Sequence, residues 1–383
     1  MVKYPEDWEK IQLKDIGDVQ MCRRVFQDQT KTSGEIPFYK ISTFGGKADA
    51  FISRSLYEKY KALYHYPEKG DPLLSAAGTV GKTVIFDGKD SYFQDSNIVW
   101  LKVDEAKIDK QFLWWFYRSY PWKSLEGTTI QRLYNSIILD TEICLPQKEE
   151  QVEIANTLSL FDSYINDLTE LIEKKRGIRD GAIEKLVHGD ISIDGHQIHY
   201  RSVTLQDVSD YKKETGHSPK RRYISTENMN QNFAGIVSYQ ENVDVKGCVF
   251  EQGNILMANI RPYLKKIWTA SFNGTCSADV LVIQAKEDVC SKLLYYLLAN
   301  DHFINYVMAC GIKGIKMPRG DKKIIMQYPM LIPEKNADQV TIAEMLSSMD
   351  EEIENLTAER EKMIQIREGA MDDLLTGKVR LKA

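Results

Sequence analysis

Apolar residues along this chain recur in two long stretches at steps of four and three. The first stretch runs Ile154, Leu158, Phe161, Ile165, Leu168 and Ile172; the second runs Ile342, Leu346, Met349, Ile353, Leu356, Met363, Ala370 and Leu374. Such spacing predicts one long helix from about Glu149 to Gly189 and another from about Asp338 to Gly377, each with a heptad seam. Pro146 and Pro333 stand just before the two starts, and Gly189 and Gly377 stand where a left-handed residue would close each helix. Charged residues break the seam at Lys175 and Arg179 in the first helix and at Arg360 and Arg367 in the second. Their long stems can lie along the seam while the charges stay in water.

The two stretches are copies. Sliding one onto the other by 188 positions without a gap superposes Leu158 on Leu346, Asp162 on Asp350, Ile165 on Ile353, Leu168 on Leu356, Arg179 on Arg367 and Gly189 on Gly377. A helix with one apolar seam needs a partner, and two copies in one chain favour pairing of the copies with each other over an ordinary homodimeric coil. The helix-pairing residues expected on this basis are Leu158, Phe161, Ile165 and Leu168 against Leu346, Met349, Ile353 and Leu356.

Outside the two helices the pattern shortens to strands and turns. Ile36–Thr43 reads as a strand before a Gly45–Gly46 turn, Lys69–Phe86 as strand, loop and strand, Ser91–Val103 as a further strand, and Phe112–Tyr120 as an aromatic helix. A polar loop from Gly127 to Asn135 precedes the first long helix. A second region repeats this order loosely. There Arg222–Thr226 echoes Lys40–Thr43, Gly253–Lys266 stands where Gly70–Lys82 stood, and Gly311–Lys323 stands where the polar loop stood. The expected fold is mixed α/β: two globular regions separated by an antiparallel coiled coil of two long helices, with a pseudo-twofold internal repeat. Its expected domains are residues 1–145, a first spacer helix 146–195, a second globular region 196–333, and a second spacer helix 334–383.

With 43% apolar residues the 383-residue chain can build real cores. It shows no signal-peptide layout and no long apolar run, and its six scattered cysteines suit reduced thiols, so a soluble cytoplasmic protein is expected. The net charge of −5 hides an asymmetry: residues 149–188 carry −4 and residues 338–377 carry −8, which leaves +7 on the rest. Acidic helices and basic globular regions are what phosphate binding by the latter would require.

No catalytic constellation emerges. The run Gly78-Thr-Val-Gly-Lys82 has only two residues between its glycines and a strand after it, unlike a phosphate-cradling loop, and reads as a tight turn presenting Lys82. His196 and His199 flank a turn with no third ligand arranged around them, so no metal and no cofactor is expected. What remains are basic and amide side chains in loops, suited to phosphates and base edges. In the first region the candidates for DNA binding are Lys40, Thr43, Lys47, Lys82, Gln131, Arg132 and Asn135. In the second they are Arg221, Arg222, Asn228, Arg261, Lys265, Lys266, Lys313, Lys316 and Arg319.

These features resemble a family, the specificity (DNA-recognition) subunits of type I restriction-modification systems. The carrying residues are Leu145-Pro146, Glu149-Glu150-Gln151, Ile154-Ala155 and Leu186-Val-His-Gly189, then Ile332-Pro333, Gln339, Ile342-Ala343 and Leu374–Leu381. Gly78–Lys82 and Arg261–Lys265 look like parts of the family's target recognition domains. The second copy departs by reading Asn336-Ala-Asp-Gln339 with one extra residue before the helix. The resemblance implies a non-catalytic subunit whose two target recognition domains read two half-sites of double-stranded DNA, about one helical turn or roughly 10 bp apart. It also implies docking of two methyltransferase subunits, which bring S-adenosylmethionine, and of restriction (motor-nuclease) subunits. Two other classes remain. A stand-alone methyltransferase would need an Asn/Asp-Pro-Pro-aromatic motif, to which Asp71-Pro72-Leu73 is the nearest approach. A coiled-coil scaffold would need no basic loops and would show no salt-dependent DNA binding.

Overall fold

The structure, a computed structural model, describes residues 4–122, 132–193, 195–217, 222–241, 245–311 and 318–381. Its helices are α1 (Arg54–Leu63), α2 (Lys110–Ser119), α3 (Asn135–Leu139), α4 (Lys148–His188), α5 (Leu205–Val208), α6 (Ser291–Leu298), α7 (Asp301–Ala309), α8 (Lys322–Ile325) and α9 (Asn336–Leu375). The two long helices are α4, of 41 residues, and α9, of 40. Two compact units divide the chain: Met1–Leu168 with Glu359–Ala383, and Thr169–Ala358. Each unit therefore holds one half of each long helix.

In the first unit an antiparallel sheet has the order Gly17–Met21, Ile98–Val103, Pro72–Ser75, Thr83–Ile85. A second sheet orders Ala50–Ile52, Ile36–Tyr39 and Tyr92–Phe93, the last two running parallel. Glu9–Gln12 pairs with Glu142–Leu145 at the foot of α4. One core, built on Leu74, Leu101, Phe112, Trp115 and Ile138, takes in Ile154, Ala155 and Leu158 of α4 and Leu374 and Leu375 of α9. Another lies between the sheets around Phe38, Tyr92 and Trp100.

The second unit repeats this plan with a change. Ser209–Tyr211, Val280–Ala285, Ile255–Ala258 and Ile267–Thr269 form the counterpart of the first sheet, and Tyr200–Thr204 pairs with Pro329–Pro333 at the foot of α9. In the other sheet Arg222–Ile224 again runs parallel to its partner, Gly274–Cys276, but the extra strands Lys246–Phe250 and Thr215–His217 add on the partner's far side. Ile342, Ala343 and Leu346 of α9 and Ile183 and Leu186 of α4 close its core.

Within each unit the long-helix halves run antiparallel, tied by a reciprocal ion pair. Arg367 of α9 lies 2.6 Å from Asp162 of α4, and Arg179 of α4 lies 2.9 Å from Asp350 of α9. These are the duplicated positions themselves, so each copy's arginine serves the other copy's aspartate. Arg118 of α2 also reaches Asp162, at 2.5 Å, while Tyr296 of α6 donates to Asp350 at 2.8 Å. Burial, and after it the hydrogen bond to Asp350, push the Tyr296 hydroxyl up, so it stays a donor. Leu158, Ile165, Leu168, Leu346 and Ile353 are buried, and Phe161, Met349 and Leu356 are half-buried.

The glutamines at the two helix starts perform one task twice. Buried Gln151 accepts from the Asp109 amide at the start of α2 and donates to the carbonyls of Lys107 and Pro146. Buried Gln339 accepts from the Cys290 amide at the start of α6 and donates to the Pro333 carbonyl. Because α4 starts at Lys148 and α9 at Asn336, the 188-residue offset holds at the helix starts. The extra residue of the second copy lies in the short connection after Pro333. Beside Gln151, the buried Glu150 is clamped by Arg380, whose guanidinium also holds Asp7.

Two expectations need correction. Ser91–Val103 is two strands in two sheets, because the chain turns at Ser96, which has the left-handed φ of 42°. The echo between Arg222–Thr226 and Lys40–Thr43 is out of register by two: Tyr39 and Ile224 end equivalent parallel strands, and their carbonyls accept from Gln94 and Ser277 respectively. Lys40 thus corresponds to Ser225 and Thr43 to Asn228. Among the described residues no helix is long and apolar enough to cross a membrane.

Candidate nucleic-acid interface

In the first unit three loops meet at one end of the central hairpin. The turn after Ile36–Tyr39 is closed by Thr43, whose hydroxyl accepts from the Lys40 amide at 3.1 Å. The hairpin connection after Pro72–Ser75 is closed by buried Ser75, whose hydroxyl accepts from the Lys82 amide at 2.9 Å. A bridge joins Ala77 to Arg132 in the third. Gly45, at φ 70°, lets the first loop lie on the second: a Cβ there would come within 2.9 Å of Val84 and 3.0 Å of Lys82. Gly78, at φ 67°, sits against Ile41 in the same way.

Lys40, Thr43, Lys82 and Arg132 are brought together by this convergence, with Lys47 just beyond the Gly45–Gly46 turn. Lys47, Lys82 and Asn135 are exposed and have no side-chain hydrogen bond or ion pair among the described residues. Lys40 pairs with Asp49 at 2.8 Å on the surface. Exposed pairs of this kind are worth about 0–1 kcal/mol, so a phosphate could take the lysine at little cost. Arg132 lies over the ring of Tyr134, 6.0 Å from its centroid.

Corresponding loops meet in the second unit. Ser225 begins a turn closed by Asn228, whose side-chain oxygen accepts from the Ser225 amide at 2.8 Å. Lys266 of the second loop donates to the Thr226 carbonyl at 2.7 Å, and Ile260 bridges to Arg319 of the third. Arg261 and Lys265 flank the short 3-10 turn Pro262–Leu264 with left-handed φ of 50° and 54°. Neighbouring Asn232 and Phe233 are left-handed too, and their amides donate to Leu264 and Lys265. Four such residues in one place store strain of about 1–3 kcal/mol each, a feature that clusters at ligand-binding loops.

Arg261 is exposed without a side-chain partner among the described residues, whereas Lys265 pairs with Asp301 at 2.6 Å and Arg319 with Asp279 at 2.8 Å. Asn228 is buried and spends its amide on Ser225 and Ser238. Arg222 stands at the opposite end of its strand from Ser225, its guanidinium 4.7 Å from the ring centroids of both Tyr239 and Phe272. Gln131, Arg221, Lys313 and Lys316 lie outside the described residues. Sequence reading located the loops but missed the acidic partners Asp49, Asp279 and Asp301, which follow no local spacing.

The hairpin setting of Gly78–Lys82, with the strand Thr83–Ile85 directly after it, leaves no helix N-terminus to receive a phosphate. His196 is exposed on a short hairpin and His199 is exposed just after it, before the strand Tyr200–Thr204. A different cluster, Glu184, His188 and His302, brings three ligand-type groups together and was not singled out from the sequence. Its visible signal was the four-residue spacing of Glu184 and His188 on one helix face.

A family model described as the type I restriction modification DNA specificity domain matches residues 5–176 and again 200–365. A putative type I restriction enzyme specificity subunit of Haemophilus influenzae is 51% identical over 160 residues, 42% of either chain. The putative MjaX specificity subunit of Methanocaldococcus jannaschii is 25% identical over 99% of this chain and 95% of its own. The crystal structure of a type I restriction-modification S subunit from M. genitalium superposes with a TM-score of 0.63 at 17% identity, over 98% of this chain and 97% of that one. That likeness carries the fold. The family model matches twice, once on each half of the duplication, and the chain belongs to the type I restriction-modification specificity subunits, the non-catalytic DNA-recognition members of these systems.

Proposed function

We propose that this chain reads a split, asymmetric DNA site, with the region before α4 reading one half and the region between α4 and α9 reading the other. The observation that carries this is the duplicated meeting of three loops, presenting Lys40, Lys82 and Arg132 in one unit and Arg261, Lys266 and Arg319 in the other. The two sets differ in nearly every side chain, so the half-sites they read differ in sequence. Lys47, Thr43, Asn135, Asn228, Arg222 and Lys265 complete the proposed set as direct or supporting members. The +7 balance outside the acidic helices supplies the attraction to phosphates.

The long helices act as the ruler between the half-sites in this reading, each half held by a reciprocal Arg–Asp pair. Leu160 and Tyr164 on α4 are exposed, as are Leu171 and Ile178 further along it. Apolar side chains of this size left in water on an otherwise charged helix suit a protein partner, and we assign this face to docking of methyltransferase subunits. Two such subunits, and through them the restriction subunits, complete the proposed complex in the cytoplasm. This chain chooses the sequence, and its partners methylate or cleave.

Exchange of residues 1–145 for the corresponding region of another specificity subunit tests this reading. The methylated motif should change in one half only and keep its spacing. A change in both halves contradicts independent reading.

A further inference from the structure

We propose that Glu184, His188 and His302 form a site for a single borderline transition-metal ion of the zinc class, which staples the last turn of α4 to the first turn of α7. The Glu184 carboxylate sits between two imidazoles: Oε2 lies 2.9 Å from His302 Nε2 and Oε1 lies 3.3 Å from His188 Nε2. The ligand atoms of all three residues fall within 4.8 Å of one another. A tetrahedral zinc ion with bonds of about 2.0–2.1 Å has ligand-to-ligand edges of about 3.3–3.4 Å. The two contacts use different oxygens of Glu184, each close to one such edge in length. Rotation of the exposed side chains brings one carboxylate oxygen and both nitrogens around a common centre, the His188 and His302 rings standing 5.4 Å apart and near perpendicular.

The donor set decides the chemistry. Two imidazoles and one carboxylate suit zinc, cobalt or nickel, whereas magnesium and calcium prefer oxygen ligands throughout. Glu184 and His188, four residues apart, share a face of α4, while His302 comes from a separate short helix, so the site exists only in the folded second unit. Neither histidine has a partner for its other ring nitrogen among the described residues. Without such support the site is open and its affinity is moderate.

Its position gives the ion a consequence. Glu184 and His302 line a cleft of about 440 Å³ together with Lys265, Asp301, Asn300 and Phe233. Asp301, next to His302, holds Lys265 of the strained loop. A bound ion would fix α7 on α4 and with it the anchor of that loop. The second copy has Asp372 and Thr376 where the first has Glu184 and His188, so one copy of the duplicated helix alone carries the pair.

The test uses the full chain, stripped with a chelator and titrated with Zn²⁺ against a chromophoric indicator, then with Co²⁺ followed by visible absorption. Expected are one zinc equivalent, a rise in Tm of the second unit on saturation, and a cobalt spectrum without thiolate charge transfer. H188Q, H302Q and E184Q should each weaken binding at least tenfold and abolish the Tm rise. Because the three side chains are exposed, the metal-free Tm of each variant should match the parent. Absence of stoichiometric zinc binding overturns the proposal. So does binding that survives all three substitutions, or a thiolate spectrum, which would assign the metal to the free cysteines.

Discussion

Gln151 and Gln339 show how much one buried amide can hold. Each ties the first turn of a long helix to the first turn of the shorter helix packed on it, and each has its donor and acceptor satisfied at 2.8–3.0 Å. Leucine at 339 strands a half-buried amide and a buried carbonyl, and leucine at 151 strands an amide and two carbonyls, at a cost of about 1–3 kcal/mol for each group shut off from water. We expect Q339L to lower the Tm of the second unit by several degrees while the first unit melts as before, a split that calorimetry resolves. An unchanged transition would deny the amide its role. Both glutamines were visible in the sequence as paired landmarks before apolar runs. Their partners were not, since Asp109 and Cys290 lie 42 and 49 residues away and only the fold brings them near. Candidate DNA-contacting residues divide in the same way. Loop positions follow from glycines and turn residues, but nothing local announces that Asn228 is buried or that Arg222 lies against two aromatic rings.

At the scale of elements, the duplication explains the pairing. Asp162 with Arg367 and Asp350 with Arg179 are four residues from two duplicated positions at the one offset of 188, and they meet crosswise between α4 and α9. A parallel homodimeric coil would give no reason for this reciprocity. These pairs are half-shielded by α2 and α6, through Arg118 and Tyr296, so they stand between surface pairs and fully buried ones in worth. A double-mutant cycle on Arg179 and Asp350, read by chemical denaturation, should return a coupling of about 1–2 kcal/mol. Strict additivity would contradict the contact. Leu158, fully buried against the first core, should cost about 2–5 kcal/mol as L158A, whereas exposed Leu160 changed to alanine should leave stability within about 0.5 kcal/mol. Helix periodicity made α4 and α9 legible almost to the residue. Short strands were harder: Ser91–Val103 reads as one strand only if the polar run Gln94-Asp-Ser-Asn97 is passed over, and there the left-handed Ser96 splits it between sheets.

The whole molecule is two copies of one plan, a mixed α/β region followed by a long helix. Its overall plan was readable because length, offset and segment charge survive divergence that erases side-chain identity. Which loops converge was not readable, because bridges such as Ala77 to Arg132 and Ile260 to Arg319 join residues more than fifty positions apart. If the helices set the distance between half-sites, seven residues inserted into both should preserve the seam and lengthen the rod by about 10 Å. The spacer between half-sites should then grow by about three base pairs with both halves unchanged, and retention of the original spacing would reject the ruler. The most direct measurement is a genome-wide methylation map of cells carrying this chain with its neighbouring methyltransferase subunit, set against cells lacking only this chain. The account predicts one split, asymmetric methylated motif that vanishes with the chain. Methylation that persists unchanged in its absence would contradict it.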